Sequence, residues 1–584
     1  MNLEQALGDF FGFQAFRPGQ REACAAALTG HDALVVMPTG SGKSLCYQLP
    51  ALLSDDLAIV VSPLVALMQD QVEALQARGR EDVALVNSQQ DAAVNRAAVD
   101  RALDGSLRLL YVAPERFSSP GFVDRIKNAS IGLFVVDEAH CVSQWGHDFR
   151  PDYFRLADAA RYLGARSLMA STATATPQVA TDVVRRLGLR EPVRVTTGFD
   201  RPNLSFAVAR PAPHQKRPLL IEALRDSESR PAIVYAGTRA GSEELAVAVK
   251  AELGVSAAAY HAGLPRERRA QVQRAFLEDE LEVIVATNAF GMGVDKANVR
   301  TVVHASVPAS LEAYYQEAGR GGRDGQPARA LLLAENRDKA LHVHFIKRDE
   351  LSEAMPARMA HALTTRAGEN ARFDIEAWEV ESLAGCSGEA VRALIGHLAR
   401  AGVIDPLPSP PGRVLGRVLE PYDGRAAARV RTSMGDAAKA RWRQYRDIWA
   451  YVEDQGCRRE RILRHFGDHG GPLVDGACCD ACGAQLVPDL PAPDPVSVAS
   501  LDEAILSVAQ TAQPRVGRTL CAAILHGSQS QKIQRNSYDG LPAYGASSHL
   551  RRAQILERID ELIGQGELAT TKGPYPVLSV ASRV

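Results

Sequence analysis

Residues 32–44 read DALVVMPTGSGKS, an apolar run that leads into a glycine-rich turn ending at Lys43 and Ser44. The apolar run predicts a buried strand and the residues after the turn predict a helix, which is the context that a phosphate-binding loop requires. Gly40 and Gly42 would let backbone amides turn toward a phosphate. Lys43 would reach its β and γ oxygens, and Ser44 would ligate Mg²⁺. The alternative is a chance Gly-Lys-Ser turn, because methionine stands where the common pattern has glycine.

The rest of residues 1–345 repeats this alternation of short β-branched runs and longer helical patterns. Uninterrupted apolar strands between helices predict an α/β fold with parallel sheets that are covered on both faces. Polar and glycine-rich turns fall at the carboxyl ends of the strands, which is the edge where open α/β sheets bind ligands. The length of 584 residues predicts several domains, because one core rarely grows beyond about 300 residues.

Composition narrows the class of protein. The formal net charge is -2, so any nucleic-acid surface has to be local. The longest uncharged apolar stretch, residues 57–69, is shorter than the ~20 residues that span a bilayer, and no signal peptide is predicted. Four of the nine cysteines lie within residues 457–482, which favours a metal site in a reducing compartment over a disulfide framework. We therefore expect a cytoplasmic protein with no membrane partner.

A second candidate site follows another predicted strand, where residues 135–153 read VVDEAHCVSQWGHDFRPDY. Asp137 would hold Mg²⁺ through water, and Glu138 would polarise the water that attacks a γ-phosphate. His140 completes this set of catalytic candidates. A solvated strand end is the alternative, but the phosphate loop upstream favours nucleotide hydrolysis.

Two arginines form a third candidate site in QEAGRGGRDG, residues 316–325. Arg320 and Arg323 are three residues apart, so both guanidinium groups can face one anion on a helix or a tight turn. An arginine placed against a phosphoryl group in transfer contributes ~10³–10⁵ in rate. A basic glycine-rich surface loop is the alternative. Spacing alone thus predicts hydrolysis of ATP or GTP between two lobes.

These motifs, in this order, resemble those of superfamily 2 helicases and, more specifically, of the RecQ family of DNA helicases. The resemblance is nearly continuous over residues 1–345 and also includes SPLVALMQDQ, YVAPERF, TATAT, FDRPN, YHAGL and ATNAFGMGVDK. It implies two RecA-like parallel-sheet lobes, residues 1–200 with the ATP site and residues 201–345, followed by winged-helix and zinc-binding modules. It also implies an ATP-dependent DNA helicase that moves 3′ to 5′ in recombination or repair.

The resemblance assigns two further sets of residues. FGFQAFRPGQ, residues 11–20, matches the adenine-recognition motif of the family, and Gln20 at the adenine edge would imply ATP rather than GTP. The segment after the DEAH box matches an aromatic-rich loop that senses single-stranded DNA, although Trp145 and Phe149 could instead be core residues. The adenine candidates are Phe13, Arg17 and Gln20, and the DNA candidates are Trp145, His147, Phe149 and Arg150.

Residues 426–486 resemble the helical zinc module of the family. Cys457, Cys479 and Cys482 match its ligands, whereas a glycine stands where the remaining cysteine of the pattern would fall. Cys478 is our candidate for the fourth ligand of a structural Zn²⁺, and His469 is its rival. Four incidental thiols without a metal are the alternative.

Two further regions of the sequence lie beyond the helicase motifs. Residues 346–456 depart from the family, and a predicted helix–turn–helix with a turn at Gly385 suggests that residues 346–425 form an extra winged-helix module or a packing scaffold without DNA contact. Residues 495–584 resemble the C-terminal winged-helix domain of the family, after which we expect no accessory helical domain. The aromatic stripe Trp442, Tyr445 and Trp449 is more typical of a core than of a base-stacking platform.

Three hypotheses of function follow. The first is a RecQ-type ATP-dependent DNA helicase that uses ATP, Mg²⁺ and Zn²⁺ and binds single-stranded and tailed or forked duplex DNA. The second is a DNA-stimulated ATPase that remodels DNA without processive unwinding. The third, a catalytically idle protein that binds DNA structures, is disfavoured by the intact phosphate loop, acids and arginines; an RNA substrate has little support.

Overall fold

The computed structural model describes residues 2–580 apart from 88, 119, 144–152, 154–155, 212–214, 292–295, 349, 408–411, 473, 475–477, 490–497 and 572–575. The chain divides into two compact units. The first comprises Met1–Ala209 and Ser227–Leu486, and the second comprises Arg210–Asp226 and Val487–Val584. Among the described helices, none combines the length and the apolar character needed to span a bilayer.

The first sheet has seven strands, all parallel: β1 (Ala33–Val36), β2 (Leu57–Val61), β3 (Val83–Val86), β4 (Leu109–Val112), β5 (Ile131–Val136), β6 (Ser167–Thr172) and β7 (Val193–Thr196). Their order is β3-β4-β2-β5-β6-β1-β7. Helices along this part of the chain are α1 (Leu3–Phe11), α2 (Gln20–Leu28), α3 (Leu45–Leu53), α4 (Val65–Gln76), α5 (Ala92–Leu103), α6 (Pro120–Ile126), α7 (Leu156–Tyr162) and α8 (Pro177–Leu187). We call this sheet and its helices lobe 1.

Alternate side chains of β1–β6 enter different cores. On β1, Leu34 and Val36 belong to one core, whereas Ala33 and Val35 belong to the other. Because both faces of the sheet are covered, β1–β5 are apolar along their whole length, as the sequence predicts. β6 carries the buried hydroxyl residues Ser167, Ser171 and Thr172, and the edge strand β7 exposes Arg194 and Thr196.

The second sheet has six strands, again all parallel: β8 (Leu204–Ala209), β9 (Ala232–Tyr235), β10 (Ala257–Tyr260), β11 (Val283–Ala286), β12 (Thr301–His304) and β13 (Ala328–Leu333). Their order is β10-β11-β9-β12-β13-β8. The helices that follow β8 along the chain are α9 (Lys216–Ala223), α10 (Arg239–Leu253), α11 (Arg266–Leu277), α12 (Leu311–Ala318) and α13 (Asn336–Arg348). The sheet with α10–α13 is called lobe 2; α9 falls in the second compact unit. Two parallel-sheet lobes confirm the predicted fold class.

Residues 346–425 form a small structure of helices and an antiparallel sheet. It contains α14 (Met355–Thr365), β14 (Arg372–Glu376), α15 (Ala377–Ala384), α16 (Gly388–Arg400), β15 (Ile404–Leu407) and β16 (Arg413–Val418). The strands form an antiparallel sheet in the order β14-β16-β15. Gly385 ends α15 in the left-handed conformation with φ 65°, which confirms the predicted turn before α16.

A helical pair follows, formed by α17 (Gly424–Glu453) and α18 (Arg458–His465). Trp449 is 4% exposed and its indole N–H donates to Nδ1 of His342 on α13, so this ring belongs to the core. Tyr445 is partly buried against the same core. The structure thus favours packing over base stacking for these two rings.

The second unit has its own core. Its described elements beyond residue 497 are α19 (Val498–Thr511), α20 (Arg518–Leu525), α21 (Gln531–Arg535), α22 (Arg552–Gly564), β17 (Leu568–Thr570) and β18 (Leu578–Val580). Ile555, Ile559 and Leu562 of α22 are buried in this core, whereas Ile563 is partly buried against it. β17 and β18 pair antiparallel as a short hairpin, as expected for a wing.

Candidate active site and cysteine cluster

The phosphate loop lies at the carboxyl end of β1 and runs into α3, as the sequence predicts. Gly40 and Gly42 have φ of 78° and 81°, values that side chains rarely tolerate. A Cβ on Gly42 would lie 2.6 Å from Nε2 of Gln20, so a larger residue there would displace that amide from its hydrogen bonds to the loop. The turn delivers the chain to the N-terminus of α3, whose positive dipole end favours an anion.

Arg17 and Gln20 hold this loop from outside. Nη1 of Arg17 donates to the carbonyl of Gly40 at 2.6 Å. Nε2 of Gln20 donates to the carbonyls of Ser41 and Gly42 at 3.0 and 3.1 Å, and its Oε1 accepts the N–H of Arg17 at 2.9 Å. The sequence predicts adenine recognition for both residues; the structure adds that they brace the loop that would carry the phosphates.

Lys43 is half-buried beneath the loop. Its Nζ donates to the carbonyls of Met37 and Pro38 at 3.0 and 3.3 Å. Burial lowers the pKa of Lys43, while the nearby carboxyl groups of Glu138 and Asp137 oppose that shift. The ammonium group is therefore close to both acids and poorly hydrated, which is how a lysine gains strength as a phosphate ligand.

The two acids follow β5 directly and are both buried. Burial and the charge of Glu138 raise the pKa of Asp137 to about 7. Glu138 adopts a left-handed backbone with φ 48° and ψ 46°, a conformation that costs about 1–3 kcal/mol in a non-glycine residue and clusters at active sites. Nδ1 of the fully buried His140 lies 3.3 Å from the Glu138 carboxylate and 2.9 Å from Oγ1 of Thr172 at the end of β6.

The predicted arginines come from lobe 2. Arg320 is buried and Arg323 is partly exposed, in the turn that follows α12. We call residues 319–323 the arginine turn. Together with Lys43 and both acids, these arginines line one cleft of about 490 Å³, which the adenine candidate Phe13 also lines. The structure thus brings the ATP-site candidates of both lobes to a single cavity.

The proposed DNA-sensing residues Trp145, His147, Phe149 and Arg150 lie outside the described residues. The two ends of their segment are described. Oγ of Ser143 donates to the Asp182 carboxylate at 2.9 Å, and the hydroxyl of Tyr153 donates to the carbonyl of Asp137 at 3.1 Å. The segment therefore begins and ends on the framework that holds the catalytic acids.

The cysteine cluster has the geometry of a metal site. The Sγ atoms of Cys457, Cys478, Cys479 and Cys482 all lie within 4.8 Å of one another. Cys478 Sγ lies 3.4 Å from that of Cys457 and 3.9 Å from that of Cys482, close to the edge of about 3.8 Å that four Zn–S bonds of 2.3 Å give in a tetrahedron. Cys479 Sγ also accepts the N–H of Arg458 at 3.3 Å. His469 is exposed and is not a member of the cluster, which favours Cys478 as the fourth ligand.

Sequence reasoning missed one residue that contacts both sides of the cleft. Arg201 donates to the carbonyls of Thr39 in the phosphate loop and Gly319 in the arginine turn. Its only signal in the sequence is the motif FDRPN, which carries no recognisable chemistry by itself.

A phosphate loop and paired acids on one parallel-sheet lobe, faced by arginines from a second, define the class of two-lobed nucleotide-hydrolysing motors. Four family models match the chain. They are the DEAD/DEAH box helicase over residues 17–183, the helicase conserved C-terminal domain over 215–325, the RecQ zinc-binding domain over 425–483 and the RQC domain over 498–584.

Relatives extend this match over the whole chain. The ATP-dependent DNA helicase RecQ of Pasteurella multocida is 33% identical over 95% of this chain and 73% of its own length. RecQ of Bacillus subtilis is 31% identical over 99% of this chain and 82% of its own. A crystal structure of the DUF1998 helicase MrfA bound to DNA has a TM-score of 0.50 at 19% identity, over 73% of this chain and 63% of that one, and supports the fold alone. The chain belongs to the RecQ family of ATP-dependent DNA helicases.

Proposed function

We propose that this protein couples ATP hydrolysis to 3′-to-5′ movement along single-stranded DNA and to duplex unwinding in recombination or repair. The observation that carries the proposal is the cleft in which Lys43 of lobe 1 and Arg320 and Arg323 of lobe 2 meet. ATP bound there would hold the lobes together, because groups of both lobes would contact its γ-phosphate. Hydrolysis would break these contacts. DNA lying across both lobes would be advanced by such a cycle.

Within this cleft each group has a distinct task. Lys43 binds the β- and γ-phosphates, and Glu138 orients and accepts a proton from the attacking water. The arginines of lobe 2 stabilise the charge that develops on the transferred phosphoryl group. His140, held by Thr172, keeps the Glu138 carboxylate in place.

The residues of the site fit Mg²⁺. Asp137 and Glu138 are buried neighbours whose mutual repulsion contributes to the raised pKa of Asp137, and a divalent cation relieves such repulsion. Ser44 and Asp137 line the same cleft and offer the oxygen ligands that Mg²⁺ prefers. Mg²⁺ bound there would neutralise phosphate charge during transfer.

Coupling to DNA is assigned to residues 143–153. Their ends are anchored on Asp182 and on the backbone of Asp137, so occupancy of the segment by a base would act directly on the acid-bearing turn. Stacking of bases on aromatic side chains tolerates any sequence, which suits movement along DNA. Single-stranded DNA and tailed or forked duplexes are the proposed substrates.

The remaining modules are assigned supporting roles. The four cysteines fit a structural Zn²⁺ site with no open coordination position, and no catalytic role is assigned to it. We assign residues 346–425 as an extra winged-helix module and 495–584 as the C-terminal winged-helix domain, whose proposed role is DNA contact. A reducing, cytoplasmic location is proposed because four of the nine cysteines converge on one candidate metal site.

Unwinding of a short duplex with a 3′ single-stranded tail tests the proposal. Wild type should release the strand with ATP and Mg²⁺, a 5′-tailed duplex should stay intact, and Lys43→Ala should be inactive on both. Release from the 5′ tail alone would refute the polarity, and activity of Lys43→Ala would refute the assigned ATP site.

A second candidate is a DNA-stimulated ATPase that translocates without useful strand separation. It is favoured by the short hairpin of the second unit, in which β17 and β18 have three residues each. ATP hydrolysis stimulated by DNA, without strand release from either tailed duplex, would select this candidate.

A further inference from the structure

Arg201 lies in the segment that connects lobe 1 to lobe 2, between β7 and β8. Its guanidinium group makes four hydrogen bonds to backbone carbonyls. Nη1 donates to Thr39 at 3.0 Å and to Gly319 at 3.1 Å, whereas Nη2 donates to Gly321 at 2.9 Å and to Gly322 at 3.0 Å. One side chain therefore joins the phosphate loop to the arginine turn.

The two joined segments carry the reactive groups of opposite lobes. Thr39 lies four residues before Lys43, and three carbonyls of the arginine turn flank Arg320 and Arg323. Oγ1 of Thr39 also donates to the carbonyl of Gly319 at 3.1 Å, so the same acceptor is shared by both contacts. A planar guanidinium with fixed donor directions holds such acceptors at a defined separation.

Arg201 is itself held firmly. The fully buried Arg459 of α18 donates to the carbonyls of Arg201 at 2.7 Å and Leu204 at 2.6 Å, and pairs with the Asp200 carboxylate. Next to them, the ring of Phe199 stacks on Phe466 with centroids 4.5 Å apart. The connecting segment thus forms a rigid base for the Arg201 side chain.

We infer that Arg201 is a positioning residue for ATP hydrolysis, which sets the distance between the phosphate loop and the arginine turn without touching the phosphates itself. The inference rests on the proposed roles of Lys43, Arg320 and Arg323. It predicts that loss of Arg201 misplaces the lobe 2 arginines relative to the γ-phosphate. Contacts made by lobe 1 alone, such as those to the adenine and the β-phosphate, should persist.

The test compares Arg201→Met, Arg201→Lys and a matched control, Asn203→Ala. Nδ2 of Asn203 donates to the carbonyls of Gly322 and Gln326 at 2.7 and 2.8 Å, so the control loosens the lobe 2 side without breaking the link between the lobes. Steady-state ATP hydrolysis with saturating single-stranded DNA gives kcat and KM. Affinities for ADP and for a non-hydrolysable ATP analogue are measured in parallel, together with the thermal midpoint.

We expect Arg201→Met to lower kcat by on the order of 10- to 100-fold, because a misplacement of about 1 Å has this effect on a preorganised site. ADP affinity should stay within about threefold of wild type, while the preference for the ATP analogue over ADP should be lost. Arg201→Lys should recover part of kcat, and Asn203→Ala should lower kcat far less than Arg201→Met, because the link between the lobes persists in it.

Three results would overturn the inference: unchanged kcat in Arg201→Met, a parallel loss of ADP affinity and thermal midpoint, or an equal effect of Asn203→Ala. A wild-type protein that does not hydrolyse ATP would instead count against the proposed function. The comparison of ATP analogue with ADP needs no turnover, so it decides the role of Arg201 in that case as well.

Discussion

Lobe 1 and lobe 2 have the same architecture but contribute opposite chemistry to the cleft. Lobe 1 offers a glycine-rich loop, a helix N-terminus and the acids after β5, and its side chains form the wall that would face the base. In lobe 2 no strand is followed in the sequence by a Gly-Lys-Ser loop, and its charged contribution to the cleft is Arg320 and Arg323. Both lobes use a parallel sheet as the scaffold. The turns at the edge of each sheet determine its proposed task, which is nucleotide binding in lobe 1 and stabilisation of the transferred phosphoryl group in lobe 2.

This division predicts that substitutions in the two lobes cause different defects in nucleotide binding and in turnover. Damage to lobe 1 should impair nucleotide binding and turnover together, because the phosphate contacts start there. Damage to lobe 2 should impair turnover far more than binding of ADP, because its arginines are proposed to contact only the transferred phosphoryl group.

Lys43→Ala should produce the largest effect. The ammonium group is lost from a poorly hydrated position, and a hydrogen bond to a charged group is worth about 1.5–3 kcal/mol, so ADP should bind on the order of 10- to 100-fold more weakly. ATP hydrolysis should fall to background. Fluorescent ADP titration and a phosphate-release assay measure the two quantities. ADP affinity equal to wild type would contradict the assignment of binding to lobe 1.

Arg320→Ala should affect turnover selectively. Removal of one transition-state arginine should lower kcat by on the order of 10³-fold, while ADP affinity stays within about threefold of wild type. Arg320→Lys keeps the charge but loses the planar fork, so it should recover only part of the rate. An Arg320→Ala protein that loses ADP binding as severely as Lys43→Ala would remove the distinction between the lobes.

Sequence patterns predicted those parts of the site whose geometry depends on residues adjacent in the chain. The turn around Gly40 and Gly42 follows from backbone freedom, and the position of Asp137 and Glu138 follows from the end of a buried strand. Arg201 could not be predicted in this way, because its acceptors are the backbone carbonyls of residues 39, 319, 321 and 322, which have no side-chain signature.

The same distinction holds elsewhere. The sequence left Cys478 and His469 as rival ligands, because spacing does not show which of them reaches the cluster; the fold brings the Cys478 sulfur there and leaves His469 exposed. The resemblance assigns Gln20 to adenine, and the structure adds that its amide donates to the carbonyls of Ser41 and Gly42. These loop contacts depend on tertiary packing, which residue type alone does not show.

The smallest expected effect concerns the base-facing wall of lobe 1. Phe13 is 50% exposed at the cleft and its ring lies parallel to that of Phe11, with centroids 6.5 Å apart. An aromatic stacking contact with adenine is worth about 1 kcal/mol, so Phe13→Ala should raise KM for ATP about fivefold with little change in kcat. Steady-state kinetics with ATP measures both constants.

Trp378→Ala is the matched control for this variant, because Trp378 is a 67% exposed aromatic residue on α15 that does not line the cleft. The control should leave KM unchanged. A change in kcat rather than KM in Phe13→Ala would mean that the base-facing wall takes part in turnover. Lobe 1 would then affect turnover through its contact with the base, and the proposed division of binding and turnover between the lobes would apply only to their phosphate contacts.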